Sequence, residues 1–436
     1  MDSKRPPASS VKNIRKNLDK SSDPLMESKT PKITLNPSSF GQAANMGFPA
    51  SKKAESTVLS LKILNKKYDY YEKAKFSNKQ LGSLKSFSYN TFHGLFKDYN
   101  EDKIIVVNQI KKPTSSKIKT WPTISYLGIF DGHVGEGCAE FLKDNFLNYL
   151  LENKNFPFDI KLALNETFEK IEEAFFKQKC GTTLEQSDRS GSCALLSLIF
   201  DNKIYLANLG DSRAILSING GTKVKALTND HKPNNPREYE TAIKNGSKIY
   251  ADDNDETVRD IAKLNFIKDK TEFEKYKKGQ NSKEDIVFRE YPSDLAVMRT
   301  IGDIKAKKKE YGGNPGTIIN KPEIFTYDIN SNDDFIIMGC DGIFDDLSNQ
   351  DVANAAWYIY KNESKEKNYD IHELTQDACD IIIKYAMEKQ TSDNLSCIVI
   401  GLDGLEKFLK NKSTKEKVNN SLNNFKKDFK TSSTIK

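Results

Sequence analysis

Ile124-Ser-Tyr-Leu-Gly-Ile-Phe-Asp-Gly-His-Val-Gly135 begins as a run of strand formers and stops at Asp131, Gly132 and His133. The pattern predicts a buried strand that delivers a carboxylate to a rim, with Gly135 where a helix can begin. Gly132 allows a sharp turn and leaves its carbonyl unobstructed, so Asp131 and that carbonyl can face one hard cation. His133 then stands beside whatever the cation binds. A single Asp-Gly-His is also an ordinary strand end, so the tripeptide alone decides nothing.

The same grammar returns twice. Asp334-Phe-Ile-Ile-Met-Gly-Cys-Asp-Gly342 is a second apolar strand ending in Asp-Gly, with Asp345 three residues beyond Gly342. Thr391-Ser-Asp-Asn-Leu-Ser-Cys-Ile-Val-Ile-Gly401 sets Asp393 just before a third. Carboxylates at three strand ends, with backbone carbonyls and no dedicated Cys or His set, suit Mg²⁺ or Mn²⁺ better than zinc.

With these motifs in view the chain resembles the metal-dependent protein phosphatases of type 2C. The matching segments, in order, are Lys97-Asp-Tyr-Asn-Glu-Asp102, Gly128-Ile-Phe-Asp-Gly-His-Val-Gly135, Ser190-Gly-Ser192, Ala207-Asn-Leu-Gly-Asp-Ser-Arg-Ala214, Leu227-Thr-Asn-Asp-His-Lys-Pro233, Leu295-Ala-Val-Met-Arg-Thr-Ile-Gly-Asp303, Cys340-Asp-Gly-Ile-Phe-Asp345 and Ser392-Asp-Asn394. They run from about Leu81 to Leu402. The resemblance implies an α+β fold: two antiparallel sheets packed as a sandwich, with a pair of antiparallel helices outside each, a four-layer αββα arrangement. It implies hydrolysis of phosphoserine and phosphothreonine in proteins by a water bridging two Mg²⁺ or Mn²⁺ ions. Asp131 would be the bridge, the Gly132 carbonyl would serve one metal, and Asp341 and Asp393 the other. Glu101 and Asp102 would orient these ligands through water, and Asp211 with Asp345 would form a third, weaker site. His133 would be the general acid. Lys97 stands where many members carry an Arg that grips phosphate, and offers a point charge instead of a fork. Arg213, Arg299 and Asp303 read as scaffold ion-pair residues. The rival reading is a pseudophosphatase, the same fold used as a binding scaffold; such members typically lose metal carboxylates, whereas Asp131, Asp341 and Asp393 all stand here.

The 436 residues are 37 % hydrophobic and 29 % charged, polar for a chain packed throughout. Residues 1–60 carry ten Lys and Arg against five acids, and residues 411–436 seven Lys against two. The net charge of +6 therefore leaves about −4 on the body between them. The expected organisation is a disordered basic tail over 1–56, a catalytic domain over 57–410 and a basic tail over 411–436. An excess segment at about 251–294 is charged and weakly periodic, with Phe266, Phe273 and Tyr276 as anchors. A short helix over Thr57 to Tyr70 is a further expectation.

Cys138, Cys180, Cys193, Cys340, Cys379 and Cys397 show no C-x-x-C spacing and read as reduced core thiols. With no apolar run long enough for a signal peptide or membrane span, the expectation is a cytoplasmic or nuclear monomer acting on phosphoprotein substrates. The basic tails give non-specific attraction to polyanions, so no specific nucleic-acid partner is expected.

Overall fold

The computed structural model describes residues 66–114, 116–252, 264–273, 286–363 and 370–410. In chain order the strands are β1 (Lys75–Phe76), β2 (Ser86–Phe92), β3 (Lys103–Val107), β4 (Ile124–His133), β5 (Gly191–Phe200), β6 (Lys203–Leu209), β7 (Arg213–Ile218), β8 (Lys223–Ala226), β9 (Lys248–Asp252), β10 (Asn265–Phe266), β11 (Val287–Tyr291), β12 (Ile301–Gly302), β13 (Glu323–Asp328), β14 (Asp333–Gly339) and β15 (Leu395–Gly401). The helices are α1 (Gly137–Glu152), α2 (Ile160–Lys179), α3 (Pro236–Lys244), α4 (Ile304–Lys307), α5 (Asp341–Phe344), α6 (Asn349–Glu363), α7 (Ile371–Glu388) and α8 (Asp403–Lys410).

One antiparallel sheet runs β1-β2-β15-β14-β7-β8, and a second runs β13-β6-β5-β4-β3 with β12 beside β5. Their central strands are nearly continuous apolar runs because both faces are buried. Leu127, Ile129, Leu195 and Leu206 of the second sheet share one buried cluster with Leu216, Ile336, Met338 and Ile398 of the first. Neighbouring residues point the opposite way, as the two-residue period of a strand requires. Tyr126, Phe130, Ala194 and Leu196 meet Phe141, Phe146, Phe168 and Phe175 of α1 and α2. Ile215, Ile337, Cys397 and Val399 meet Val352, Trp357, Leu374 and Ile382 of α6 and α7. The expected mixed α+β class with antiparallel sheets is the one the chain adopts.

Helix ends follow local signals. Before α6, the Asp351 amide donates to Ser348 Oγ at 3.1 Å and the Ser348 amide donates to Asp351 Oδ2 at 3.2 Å, a reciprocal capping box. The helix expected up to Tyr70 does not form over Lys66–Tyr70. Long-range bonds compete with it: Tyr68 donates to Glu388, and Tyr71 donates to Asp380 at 2.7 Å, so this segment lies as a strap on α7. The start of that expected helix, the two tails and Tyr276 lie outside the described residues.

The described residues of the excess segment build both sheet and core. A third sheet, β10-β9-β11, takes two of its strands from it. Ile267, Phe273 and Phe288 enter a core with Tyr239 and Ala242 of α3, Met298, Ala306 and Ile318. Phe266 lies in an aromatic row instead, 6.2 Å from Tyr250 and 5.8 Å from Tyr291 between ring centroids. Its strands are too short for a period to stand out among charged neighbours. Trimming Asp252 to Lys283 would thus remove core, not only a loop. Phe288→Ala should open this unit first: large-to-small changes of a buried Phe cost about 3–5 kcal/mol. Limited proteolysis should then cut within residues 245–295 at temperatures where circular dichroism still reports the sandwich as folded; simultaneous loss of both would show that the unit has no separate stability.

Candidate active site

Both sheets end at one rim. On β5, Gly191, Ser192 and Cys193 pair with His133, Gly132 and Asp131 of β4. Glu101 and Asp102 immediately precede β3, whose Lys103 pairs with Phe130. From the other sheet, Asp341 follows β14 and opens α5, and Asp393 precedes β15. Asp211 lies in the turn between β6 and β7. Asp131, Asp341, Asp393, Asp211 and Asp102 thereby form one electrostatically coupled group.

The closeness shows in their acidities. Desolvation, then the charges of Asp341, Asp102, Asp211 and Asp393, push the Asp131 carboxyl well above the usual carboxylate range. Asp341 is displaced the same way by desolvation and by Asp211, Asp393 and Asp345. Burial pushes Asp102 up to about 6 against the opposing bond from Ser396 Oγ, 2.7 Å from its Oδ2. Two ammonium groups offset part of this charge. Lys97 Nζ pairs with Asp393 and lies 3.4 Å from Glu101 Oε2. Lys232 Nζ lies 2.6 Å from Asp345 Oδ1 and 3.5 Å from Asp211 Oδ2. A cluster dominated by hard oxygens, in excess of its internal cations and already drawing in two of them, fits divalent Mg²⁺ or Mn²⁺.

Gly132 is dictated by crowding: a Cβ there would sit 2.5 Å from the Glu101 carbonyl oxygen. Gly191 carries a second close approach. On β5 it faces His133 of β4 on one side and Gly302 of β12 on the other. A Cβ at Gly191 would collide with both His133 Nε2 and Asp303 Oδ2. Across that gap His133 Nε2 lies 2.9 and 3.0 Å from the two oxygens of Asp303. Burial works against a charged imidazole, but the Asp303 carboxylate and its hydrogen bond prevail and raise the His133 pKa above 6.5. Asp303, buried too, is held below the usual carboxylate range by the same partner. His133 Nε2 is thereby committed to Asp303.

Residues 93–395 match the protein-family model described as Protein phosphatase 2C. The chain belongs to that family. It is 28 % identical to "Probable protein phosphatase 2C 27" of Arabidopsis thaliana over 70 % of this chain and 66 % of that protein. It is 28 % identical to "Protein phosphatase 2C 1" of Paramecium tetraurelia over 63 % of this chain and 80 % of that protein. The chain spans 59–69 % of the length of three of the curated relatives it matches, the Arabidopsis protein above among them. Among solved structures, a serine-threonine phosphatase 2C from Toxoplasma gondii is similar with a TM-score of 0.51 at 17 % identity, covering 73 % of this chain and 94 % of that one. That likeness concerns the fold. Members of the protein phosphatase 2C family are metal-dependent, on magnesium or manganese.

Within this family frame the site holds groups to which the sequence motifs attach no such role. Asp303, grouped above with Arg213 and Arg299 as a scaffold residue, pairs with His133 instead. Arg213 does bind Asp230, and Arg299 binds Glu238. Nothing local predicts the His133–Asp303 pair, because 170 residues separate the partners and only β12 brings them together. Cys193, read as a core thiol, offers its sulfur within 4.8 Å of carboxylate oxygens of both Asp131 and Asp211. Burial raises its pKa, so it is a thiol that donates to Asp211 Oδ1 at 3.4 Å. Asn394 joins the two halves of the rim: its Oδ1 accepts from the Glu101 amide at 2.9 Å, and its Nδ2 donates to the His93 and Tyr99 carbonyls.

Asp303→Asn tests the pair. With the carboxylate gone, the imidazolium loses its stabilising charge, so the alkaline limb of phosphopeptide turnover should move to lower pH. Turnover should fall by about 10²-fold for a phosphopeptide and far less for nitrophenyl phosphate, whose leaving group needs no proton. Equal losses on both substrates with an unmoved pH profile would make Asp303 purely structural.

Proposed function

We propose that this chain hydrolyses phosphoserine and phosphothreonine esters in proteins. What supports the reading is the convergence at one rim of a surplus of carboxylates with an imidazole held by its own carboxylate. Asp131 would be shared by two Mg²⁺ or Mn²⁺ ions, with the Gly132 carbonyl on one and Asp341 and Asp393 on the other. Glu101 and Asp102 orient these ligands, and Asp211 with Asp345 offers a third, weaker position. Divalent ions there supply charge neutralisation for the phosphoryl group and acidify water for in-line attack.

The protein's own groups do the rest. Lys97 brings a point charge to the rim for a phosphate oxygen. The His133 imidazolium gives its Nδ1 proton to the departing serine or threonine oxygen as the P–O bond breaks, a contribution of about 10²- to 10⁴-fold for so basic a leaving group. Asp303 keeps that ring charged and oriented. The sheet ends fix the acids by backbone pairing, so the site does not have to reorganise around the charge it receives.

Two effects of opposite sign follow for Asp131→Asn. Phosphopeptide hydrolysis in Mn²⁺ should drop by about 10³-fold or more, since several kcal/mol of charge stabilisation is lost. In chelator the same variant should melt a few degrees higher than the parent, because a repelled, desolvated charge is gone. Full activity of the parent in excess chelator would contradict the proposal, as would an Asp131→Asn protein that melts lower in chelator yet turns over normally in Mn²⁺.

A further inference from the structure

Nine large apolar side chains stand exposed among the described residues, and four of them, Leu95, Phe96, Tyr99 and Val134, lie on two turns that Glu101 ties together. The first three flank Lys97, and Val134 follows His133 directly. Both turns are tied to one carboxylate. Glu101 Oε1 accepts from the Gly135 amide at 2.6 Å and lies 3.4 Å from the Tyr99 hydroxyl, while Oε2 faces Lys97. His93 Nδ1 closes the 93–97 turn on the Lys97 carbonyl at 2.8 Å, and Asn394 holds it from below through the His93 and Tyr99 carbonyls. These apolar groups are therefore displayed on a braced frame.

Folding does not account for them. Phe96 is 62 % exposed and Val134 67 %, so neither contributes much to a core. Val134 is also strained, since a β-branched residue sits at φ 58°, in the left-handed region that favours glycine. Strain without compensating packing, next to the acid, points to a ligand. Single exposed apolar residues need no explanation, but a cluster at the mouth of a reactive site does.

We propose that Leu95, Phe96, Tyr99 and Val134 form a recognition rim for an apolar side chain next to the phosphorylated residue of the protein substrate. The proposal rests on the phosphatase reading above and specifies its substrate class. An extended chain advances about 3.3 Å per residue, so a phosphoryl group brought to Asp131 and Asp341 lays its immediate neighbours across whatever borders the carboxylates. Val134 adjoins His133, which serves the leaving oxygen, so rim and reacting centre are continuous. The four side chains carry no formal charge and match an apolar partner, with Lys97 between them kept for the anion.

The test uses the full chain in Mn²⁺ and phosphothreonine peptides that differ only at the residue beside the phosphothreonine: Leu, Ser or Arg. The expected result is a kcat/KM about tenfold higher for the Leu peptide than for the Ser peptide, the scale on which an apolar pocket discriminates. Phe96→Ser and Val134→Gly should each bring that ratio toward one, and Val134→Gly should do so without loss of melting temperature because it relieves strain. Phe158→Ser, an exposed phenylalanine between α1 and α2, should leave the ratio unchanged. Equal kcat/KM for the Leu and Ser peptides, a preference for Arg, or a ratio indifferent to both rim variants would overturn the rim. Failure to turn over any peptide or nitrophenyl phosphate would instead overturn the phosphatase reading and take the rim with it.

Discussion

Mutual repulsion among carboxylates is the constraint around which this protein is built. Asp131 stands desolvated within the field of Asp341, Asp102, Asp211 and Asp393, an arrangement that raises the free energy of the metal-free fold. No flexible loop would hold such a group together. The chain places it at the ends of two packed antiparallel sheets, where Asp131, Asp211, Asp341 and Asp393 are fixed by strands whose apolar residues are buried on both faces and Asp102 by the half-buried edge strand β3. Stability gained in three apolar layers is what allows charge to be concentrated at their common edge, and the internal ammonium groups of Lys97 and Lys232 relieve only part of it.

The same economy of placement explains the acid. His133 lies on β4, Asp303 follows β12, and the two strands flank β5 at a residue without a side chain. The short helix α4 then carries Ala306 into the core of the small sheet beside the site. Asp303 thus belongs both to the reacting centre and to the base of that unit, and the Ala306 amide donates to the Asp303 carbonyl at 2.9 Å. A disturbance of the small sheet can reach the imidazole through the short backbone stretch from Ala306 to Asp303 and then the Asp303–His133 hydrogen bond.

Much of this was legible in residue order. Asp131, Asp341 and Asp393 announce themselves because each interrupts an apolar strand run at its end, and Ser348 with Asp351 announces a helix start. The structure brings those acids together with Glu101, Asp102 and Asp211, as the motif order suggests. What stayed hidden depends on tertiary pairing. The His133–Asp303 contact needs the register of β12 on β5, a two-residue strand that no period can reveal. Likewise Ile267, Phe273 and Phe288 sit among charged residues on strands too short to alternate visibly. Tyr68 and Tyr71 defeat a local helix because Glu388 and Asp380 offer bonds some 300 residues away.

The account turns on the carboxylate cluster being a built cation site, and titration calorimetry reads that directly, without reference to turnover. Mn²⁺ added to the full chain at neutral pH should bind saturably at no fewer than two sites. Desolvation and repulsion displace the Asp131 and Asp341 carboxyls upward and a bound cation displaces them downward, so the affinity should rise with pH. Absence of saturable binding, or binding that survives intact in Asp131→Asn, would contradict it.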